Sequence, residues 1–293
     1  MKKLVSVLLI LFLVINVMPV QSAYAATVKL NKTSITLNVG SSYTLKVTGT
    51  TKTVKWSSSD AKIASVSAKG AVKAIKKGSA KITAAVSGKK YTCKVTVKEV
   101  FDAKKAVEKI SVEEEMDLGD GVVIVVKNNY SFPYYLTATT VFYDESGKMM
   151  YTSSDVNYYF EKGKECALSF DGPHNSSYEK VPYASYKITY TARTVLSSQV
   201  STLSDIKVTA DISTNNVIAE VTNTGEKEPE STVVSIVFYN GGVPVGFNYR
   251  YADVTVPGST AYLEFNFPYD SDYNTIAVDD YKIFVNYSYY YKD

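Results

Sequence analysis

Apolar and polar residues alternate along almost the whole chain after residue 26. Ile35, Leu37 and Val39, for example, alternate with polar neighbours, and similar short runs follow one another to the last residues. Successive side chains of a β-strand point to opposite faces, so this period of two predicts strands with one apolar face. Glycine-containing turns separate the runs at regular intervals, which favours sandwiches or barrels. The pattern therefore predicts an all-β protein.

The first residues predict export. A charged start at Lys2-Lys3, an apolar run and the small-residue pattern Ala23-Tyr24-Ala25 together are typical of a secretory signal peptide. We expect cleavage before Ala26 and a secreted, extracellular protein that can associate with the cell wall. No later stretch reaches the roughly 20 apolar residues that span a bilayer, so no transmembrane segment is expected after cleavage.

The segment 27–98 carries several motifs in a recognisable order. They include Val54-Lys55-Trp56, Ile63-Ala64-Ser65-Val66, Gly70-Ala71-Val72 and Gly78-Ser79-Ala80-Lys81-Ile82-Thr83. With these motifs the segment resembles the bacterial immunoglobulin-like domain, group 2. The resemblance implies an Ig-like sandwich of the kind found in bacterial surface and secreted proteins, often as an adhesion or spacer module. It implies no catalytic residues.

The rest of the chain contains an internal repeat. Ile110-Ser111-Val112 matches Ile206-Lys207-Val208, and Phe170 and Pro173 recur 95 positions later as Phe265 and Pro268. A shared spacing of this kind indicates two copies of one structural unit. The repeats also loosely resemble the FxLYD-type β-sandwich modules of bacterial extracellular proteins. We therefore predict an N-terminal Ig-like β-sandwich followed by two tandem β-sandwich repeats.

These observations predict the following division of the chain. It comprises a signal peptide (1–25), the Ig-like domain (26–98), a linker with one or two helical turns (99–107), the first repeat (108–194), a second linker (195–203) and the second repeat (204–293).

Charge is divided unevenly between the parts. Residues 27–98 contain fifteen lysines and only one acid, Asp60, which gives a net charge of +14. The signal peptide adds +2 and the whole chain carries +3, so the remainder carries −13. A dense basic surface attracts anionic polymers. For an exported protein, cell-wall polymers are more natural partners than nucleic acid, and we expect no nucleic-acid binding.

Residues that perform catalysis or bind metals are scarce. His174 is the only histidine, and Cys93 and Cys166 are the only cysteines, which excludes a histidine metal cluster and a four-ligand zinc site. The sequence from Asp270 to Asn274 imitates the start of a calcium loop, but the later ligand positions do not fit. We expect Cys93 to be a small buried apolar residue and the two cysteines to be unbridged. The sequence predicts no enzyme, no cofactor and no metal.

Tyrosine is the most unusual feature of the composition, because 22 of the 25 tyrosines follow residue 100. Adjacent tyrosines on a strand point to opposite faces, so some of them must be exposed. Exposed rings beside Asp and Asn suit carbohydrate stacking. The candidate glycan-stacking residues are Tyr134, Tyr135, Tyr158, Tyr159, Tyr289, Tyr290 and Tyr291.

Two functions remain open at this point. The first is a non-catalytic secreted or cell-surface protein whose domains act as adhesion or spacer modules at the cell envelope, with cell-wall polymers, surface glycans or proteins as partners. The alternative is a secreted carbohydrate-binding protein that uses the tyrosine-rich faces of the repeats.

Overall fold

The computed structural model describes residues 27–270 and 272–292, so the predicted signal peptide lies outside the described residues. Regular structure in these residues is almost entirely β, as predicted. The chain forms two compact units that divide between Val100 and Phe101. We call them the Ig-like unit and the repeat unit. In the part of the chain that the structure describes, no helix is long and apolar enough to cross a membrane.

The Ig-like unit is a sandwich of short strands. Its strands are β1 (Lys29–Leu30), β2 (Ser34–Asn38), β3 (Ser42–Thr44), β4 (Val47–Thr48), β5 (Lys55–Ser58), β6 (Ala64–Val66), β7 (Ala71–Ala74), β8 (Gly78–Val86) and β9 (Lys89–Lys98). One sheet has the order β2-β9-β8-β5 and the other β3-β7-β6, while β1 pairs with β4. The alternation read from the sequence buries one face of each sheet. Leu45, Ile82 and Val95 lie in the resulting core, and Trp56 packs against it.

Both cysteines are buried as free thiols. Cys93 lies on the inner face of β9 in the Ig-like unit, as the strand pattern predicted, and Cys166 lies in the core of the first repeat. Neither forms a disulfide. Burial raises the pKa of both thiols above the usual value, which keeps them protonated and unreactive. The stability of both units therefore depends on packing and hydrogen bonds.

The repeat unit begins with a short helix and continues as strands. Its elements are α1 (Ala103–Glu108), β10 (Ile110–Asp117), β11 (Gly121–Asn128), β12 (Tyr134–Tyr143), β13 (Met149–Phe160), β14 (Glu165–Asp171), β15 (Ser185–Thr194), β16 (Gln199–Ser201), β17 (Ile206–Ile212), β18 (Asn216–Asn223), β19 (Ser231–Asn240), β20 (Val243–Tyr251), β21 (Thr260–Asn266) and β22 (Asp280–Tyr291). Asp102 caps α1 by accepting a hydrogen bond from the backbone N–H of Lys105. The helical turns predicted in this segment are confirmed.

The two repeats have the same topology. The first pairs β10-β11-β14 in one sheet and β13-β12-β15 in the other; the second pairs β17-β18-β21 and β20-β19-β22, with β16 added at the edge of β22. Each repeat has its own core, which includes Phe142 and Phe170 in the first and Phe238 and Phe265 in the second. The prediction of two tandem sandwiches is confirmed.

A separate apolar cluster joins the two repeats. Val123 and Val125 of the first repeat pack with Val237 and Tyr239 of the second. These residues come from β11 and β19, whose side chains are buried on both faces. The segment 195–203 is predicted from the sequence to be a linker. In the structure it contains β16, and its buried Thr202 forms a hydrogen bond with Ser288 of the second repeat. The repeats therefore form one compact body.

A buried asparagine strengthens this interface. The side-chain amide of Asn286 donates to the carbonyl of Ala167 at 2.7 Å, and its oxygen accepts from the N–H of Ala167 at 3.2 Å and from the hydroxyl of Ser235 at 2.7 Å. The backbone carbonyl of Asn286 also accepts from the side chain of Asn157 at 2.6 Å. A side chain of β22 thus pairs with the backbone of β14 much as a neighbouring strand does.

Candidate functional site

The candidate tyrosines come together at one end of the repeat unit. Tyr134 and Tyr135 begin β12, and Tyr158 and Tyr159 lie near the end of β13, which pairs with β12 so that Tyr134 is opposite Phe160. The last residues of β22, Tyr289 to Tyr291, approach from the second repeat, and the ring of Tyr289 stacks on that of Tyr159 at 6.3 Å. Residues more than 150 positions apart in sequence therefore form one aromatic cluster.

Strand alternation divides these tyrosines between core and surface. Tyr134 is fully buried, and Tyr159 and Tyr289 are also buried, so their rings expose little surface on which a ligand could stack. Tyr158 and Tyr291 are 40% and 46% exposed, and Tyr135 and Tyr290 are half-buried. The exposure of some tyrosines, as the sequence indicated, follows from the two-residue period of the strands.

Four of the tyrosines line a small cavity. The rings of Tyr135 and Tyr158 are 5.2 Å apart, and those of Tyr289 and Tyr291 are 5.6 Å apart. The guanidinium of Arg193 lies 3.6 Å from the ring centroid of Tyr135, a cation–π contact. Together they border a cavity of about 190 Å³. Tyr290 does not line it; its ring lies 5.6 Å from the ammonium of Lys227.

An aromatic row on β20 was not identified from the sequence. Phe247, Tyr249 and Tyr251 occupy alternate positions of the strand and therefore point to the same face. Their neighbouring ring centroids are 6.4 and 6.2 Å apart, and Tyr249 and Tyr251 are 50% and 65% exposed. The alternation of aromatic and polar residues in 247–251 was the available signal for this row.

The row borders a groove between the repeats. One cavity of about 280 Å³ is lined by the row and by Tyr158 and Asp155 of the first repeat. It shares Tyr158 with the small tyrosine cavity, and it shares Phe247 and Tyr249 with a larger cavity of about 630 Å³. We call these three neighbouring cavities the inter-repeat groove. One wall comes from each repeat.

Two carboxylates, those of Asp155 and Asp171, line the cavity of about 280 Å³ together with the aromatic row. Asp155 is half-buried; it accepts hydrogen bonds from the backbone N–H groups of Val156 at 2.6 Å and Ser169 at 2.9 Å. Burial is the main cause that raises the pKa of Asp155; these two hydrogen bonds oppose the rise, and the nearby Asp171 carboxylate adds to it. Among the described residues neither carboxylate forms an ion pair. This cavity therefore contains two carboxylates without a cationic partner beside exposed rings.

The polar loops of the two repeats are structural turns. Asp270 accepts hydrogen bonds at 2.9 Å from the backbone N–H groups of Asp272 and Asn274. In the first repeat Asn175 accepts from the N–H groups of Ser177 and Glu179 at 2.9 and 3.0 Å. Such Asx turns occupy the oxygen that resembled a calcium ligand. Within the described residues no group of three or more His, Cys, Asp or Glu side chains is placed to hold a metal ion.

The charge of the Ig-like unit is exposed. All fifteen of its lysines lie at the surface, distributed over both sheets and the turns. In residues 27–98, all of which the structure describes, no lysine pairs with a carboxylate. The repeat unit, by contrast, contains ion pairs such as Lys127 with Glu165. The positive field of the Ig-like unit is therefore not neutralised internally.

Comparison with known proteins supports the N-terminal assignment. Residues 25–107 match the family model of the bacterial Ig-like domain (group 2), which confirms the resemblance seen in the sequence. No curated protein matches the chain. The likeness of the repeats to FxLYD-type modules stays a prediction.

Two solved structures resemble the chain at low identity. One is the S-layer protein rSbsC, at 14% identity and a TM-score of 0.23 over 77% of this chain, which spans 40% of that protein. The other is native alpha-2-macroglobulin from Escherichia coli, spanning domains MG0-NIE-MG1, at 10% identity and a TM-score of 0.17, with 69% of this chain and 80% of that one covered.

Proposed function

We propose that this chain is a non-catalytic protein, secreted or held at the bacterial cell surface, in which the Ig-like unit and the repeats act as adhesion or spacer modules. The observation that carries the proposal is the surface of the Ig-like unit, where fifteen exposed lysines have no carboxylate partner within the unit. Many weak contacts from such a surface hold anionic polymers. The bacterial Ig-like family match supports a role at the cell envelope.

Removing part of this charge is expected to release the protein from cell wall. The first variant replaces four exposed lysines of the Ig-like unit by glutamine: Lys76, Lys77, Lys89 and Lys90. The control variant removes the same charge from exposed positions of the repeat unit: Lys148, Lys162, Lys164 and Lys207. Contacts between exposed charges are screened beyond about 8 Å at physiological ionic strength, so binding should fall as salt rises.

The measurement is sedimentation of the mature protein with purified cell wall across a salt series. The Ig-like variant should elute at lower salt than the control variant. Equal losses in both variants, or binding that persists in molar salt, would contradict electrostatic retention through the Ig-like unit.

A second candidate function is carbohydrate binding, and the inter-repeat groove favours it. Exposed rings of Tyr158, Tyr249 and Tyr251 lie beside the carboxylate of Asp155, which combines apolar stacking surface with hydrogen-bond acceptors. Sugar rings need both, because their C–H faces stack on aromatic rings and their hydroxyl groups need polar partners.

The double variant Tyr249→Ala/Tyr251→Ala is expected to weaken polysaccharide binding by about tenfold or more, since it removes two exposed stacking surfaces. Affinity electrophoresis against a panel of soluble polysaccharides measures the change. Tyr262→Ala is the matched control, because Tyr262 is 71% exposed on β21 and lines a different cavity. If the polysaccharide slows the migration of the double variant as much as that of the control, this surface is excluded as the binding site.

A further inference from the structure

The inter-repeat groove is shared by two parts of the chain that are distant in sequence. Tyr249 and Tyr251 come from β20 of the second repeat, and Asp155 and Asp171 come from β13 and β14 of the first. The apolar cluster and the Asn286 hydrogen bonds hold these strands in place. Because a rigid interface positions both walls, the groove is preorganised for a ligand.

The aromatic wall suits an elongated ligand. Phe247, Tyr249 and Tyr251 place three rings at intervals of 6.4 and 6.2 Å along one strand. Beyond the row, the ring centroids of Tyr158 and Tyr135 are 5.2 Å apart, and both rings line the small tyrosine cavity at this part of the groove. A succession of rings along a groove offers repeated stacking positions, which a linear polymer of similar units can use in turn.

The acidic wall selects for positive charge. Asp155 and Asp171 line the same cavity, and the charge of Asp171 helps to raise the pKa of Asp155, whose main cause is burial. The basic side chains that line the groove have other partners: Lys180 pairs with Asp120, and the guanidinium of Arg193 lies over the ring of Tyr135. A neutral ligand would cover these carboxylates and remove water without supplying a counter-charge, which costs free energy.

We propose that the inter-repeat groove binds a polysaccharide with protonated amino groups, such as a polymer of glucosamine units that lack N-acetyl groups. An ammonium group donates charge-assisted hydrogen bonds to Asp155 and Asp171 and lies over the exposed rings of Tyr249 and Tyr251. The sugar rings between the amino groups stack along the row. This proposal rests on the carbohydrate-binding function proposed above and specifies its ligand.

The test compares two ligands that differ only in the amino group. Isothermal titration of the mature protein with a chitosan hexasaccharide and with the fully N-acetylated hexasaccharide, at the same pH and ionic strength, isolates the contribution of the charge. We expect the chitosan oligomer to bind at least about tenfold more tightly, because acetylation removes the cation and the charge-assisted hydrogen bonds.

Variants of each wall locate the binding. Asp155→Asn and Asp171→Asn should each reduce chitosan affinity by about fivefold or more and reduce the affinity for the acetylated oligomer much less, because only chitosan loses a charge-assisted hydrogen bond. Asp171 is exposed at the end of β14, so its variant tests the charge even where Asp155→Asn disturbs the backbone contacts. Asp211→Asn is the control, because Asp211 lies beside Tyr262 in a separate cavity of the second repeat.

The possible outcomes separate the two proposals. Binding of both oligomers with equal affinity, lost in Tyr249→Ala/Tyr251→Ala but insensitive to the two aspartates, would overturn the amine preference and leave carbohydrate binding intact. Failure to bind either oligomer or any polysaccharide of the panel would overturn both. Equal loss in Asp211→Asn would show general attraction to the acidic repeats. Poly-lysine binding as tightly as chitosan would indicate a cationic polypeptide as the ligand instead.

Discussion

Replacing Asn286 by alanine is expected to destabilise the repeat unit by roughly 2–4 kcal/mol, because buried polar groups lose their partners. The side chain of Asn286 satisfies both backbone groups of Ala167 and the hydroxyl of Ser235. Alanine leaves all three without that partner in a site that is almost fully closed to water. Ala167 belongs to the first repeat and Ser235 to the second, so the variant loses hydrogen bonds at the interface between the repeats.

The measurement is chemical unfolding of the mature protein followed by the near-ultraviolet circular dichroism of tyrosine. All but a few of the tyrosines lie in the repeat unit, so this signal follows its unfolding. The variant should unfold at lower denaturant concentration, and its transition should broaden or divide as the repeats lose their coupling.

Two controls accompany the Asn286 variant. Asn129→Ala removes an exposed asparagine of the same unit, whose side chain donates a hydrogen bond to the exposed Ser111, and should change stability little. Trp56, the only tryptophan, reports separately on the Ig-like unit, and its fluorescence transition should not move. An Asn286→Ala midpoint equal to that of Asn129→Ala would show that the apolar cluster alone holds the repeats together.

The sequence predicted the strands and the repeats because both depend on local pattern. In β12 buried and less buried residues alternate without exception, which is the pattern expected of a strand with one face in a core. The repeats were visible because equivalent strands keep equivalent residues, such as Phe170 and Phe265, in their cores.

The interface between the repeats also left a signal in the sequence. Val122 to Val126 in β11 and Ile236 to Tyr239 in β19 are continuous apolar runs, and a strand with such a run is buried on both faces. One face packs inside the repeat, and the other needs a second partner. A continuous apolar run indicates a second packing partner but does not identify it, so the contact between Val123 and Val237 was not anticipated.

The groove itself could be predicted only in part. Strand alternation required that some adjacent tyrosines be exposed, and Tyr158 and Tyr291 are. Asp155 and Tyr249 line the same cavity although they are more than 90 positions apart in the sequence. They come together only because the two sandwiches pack against each other. No local period encodes that arrangement, because it follows from the three-dimensional fit of the two repeats.

Replacing Gly70 by alanine is expected to destabilise the Ig-like unit by roughly 2–5 kcal/mol, through backbone strain and steric overlap together. Gly70 has a φ of +82°, which is unfavourable for a residue with a side chain. A Cβ there would also lie 2.4 Å from the carbonyl oxygen of Leu45 and 2.8 Å from the ring of Trp56. The carbonyl belongs to the backbone, so it cannot move aside without disturbing the turn.

Gly88→Ala separates the two contributions. Gly88 has nearly the same φ, +81°, but a Cβ at this position meets nothing within 4 Å. Gly88→Ala should therefore lower the free energy of unfolding only by the cost of the left-handed backbone conformation, about 1–2 kcal/mol. Both variants are measured in the mature protein by the fluorescence of Trp56 during chemical unfolding, and the tyrosine signal of the repeat unit shows whether the effect stays local. Equal losses of stability at the two glycines would mean that Trp56 and the backbone at Leu45 move aside for the added methyl group. The core around Gly70 would then be less tightly packed than these distances indicate.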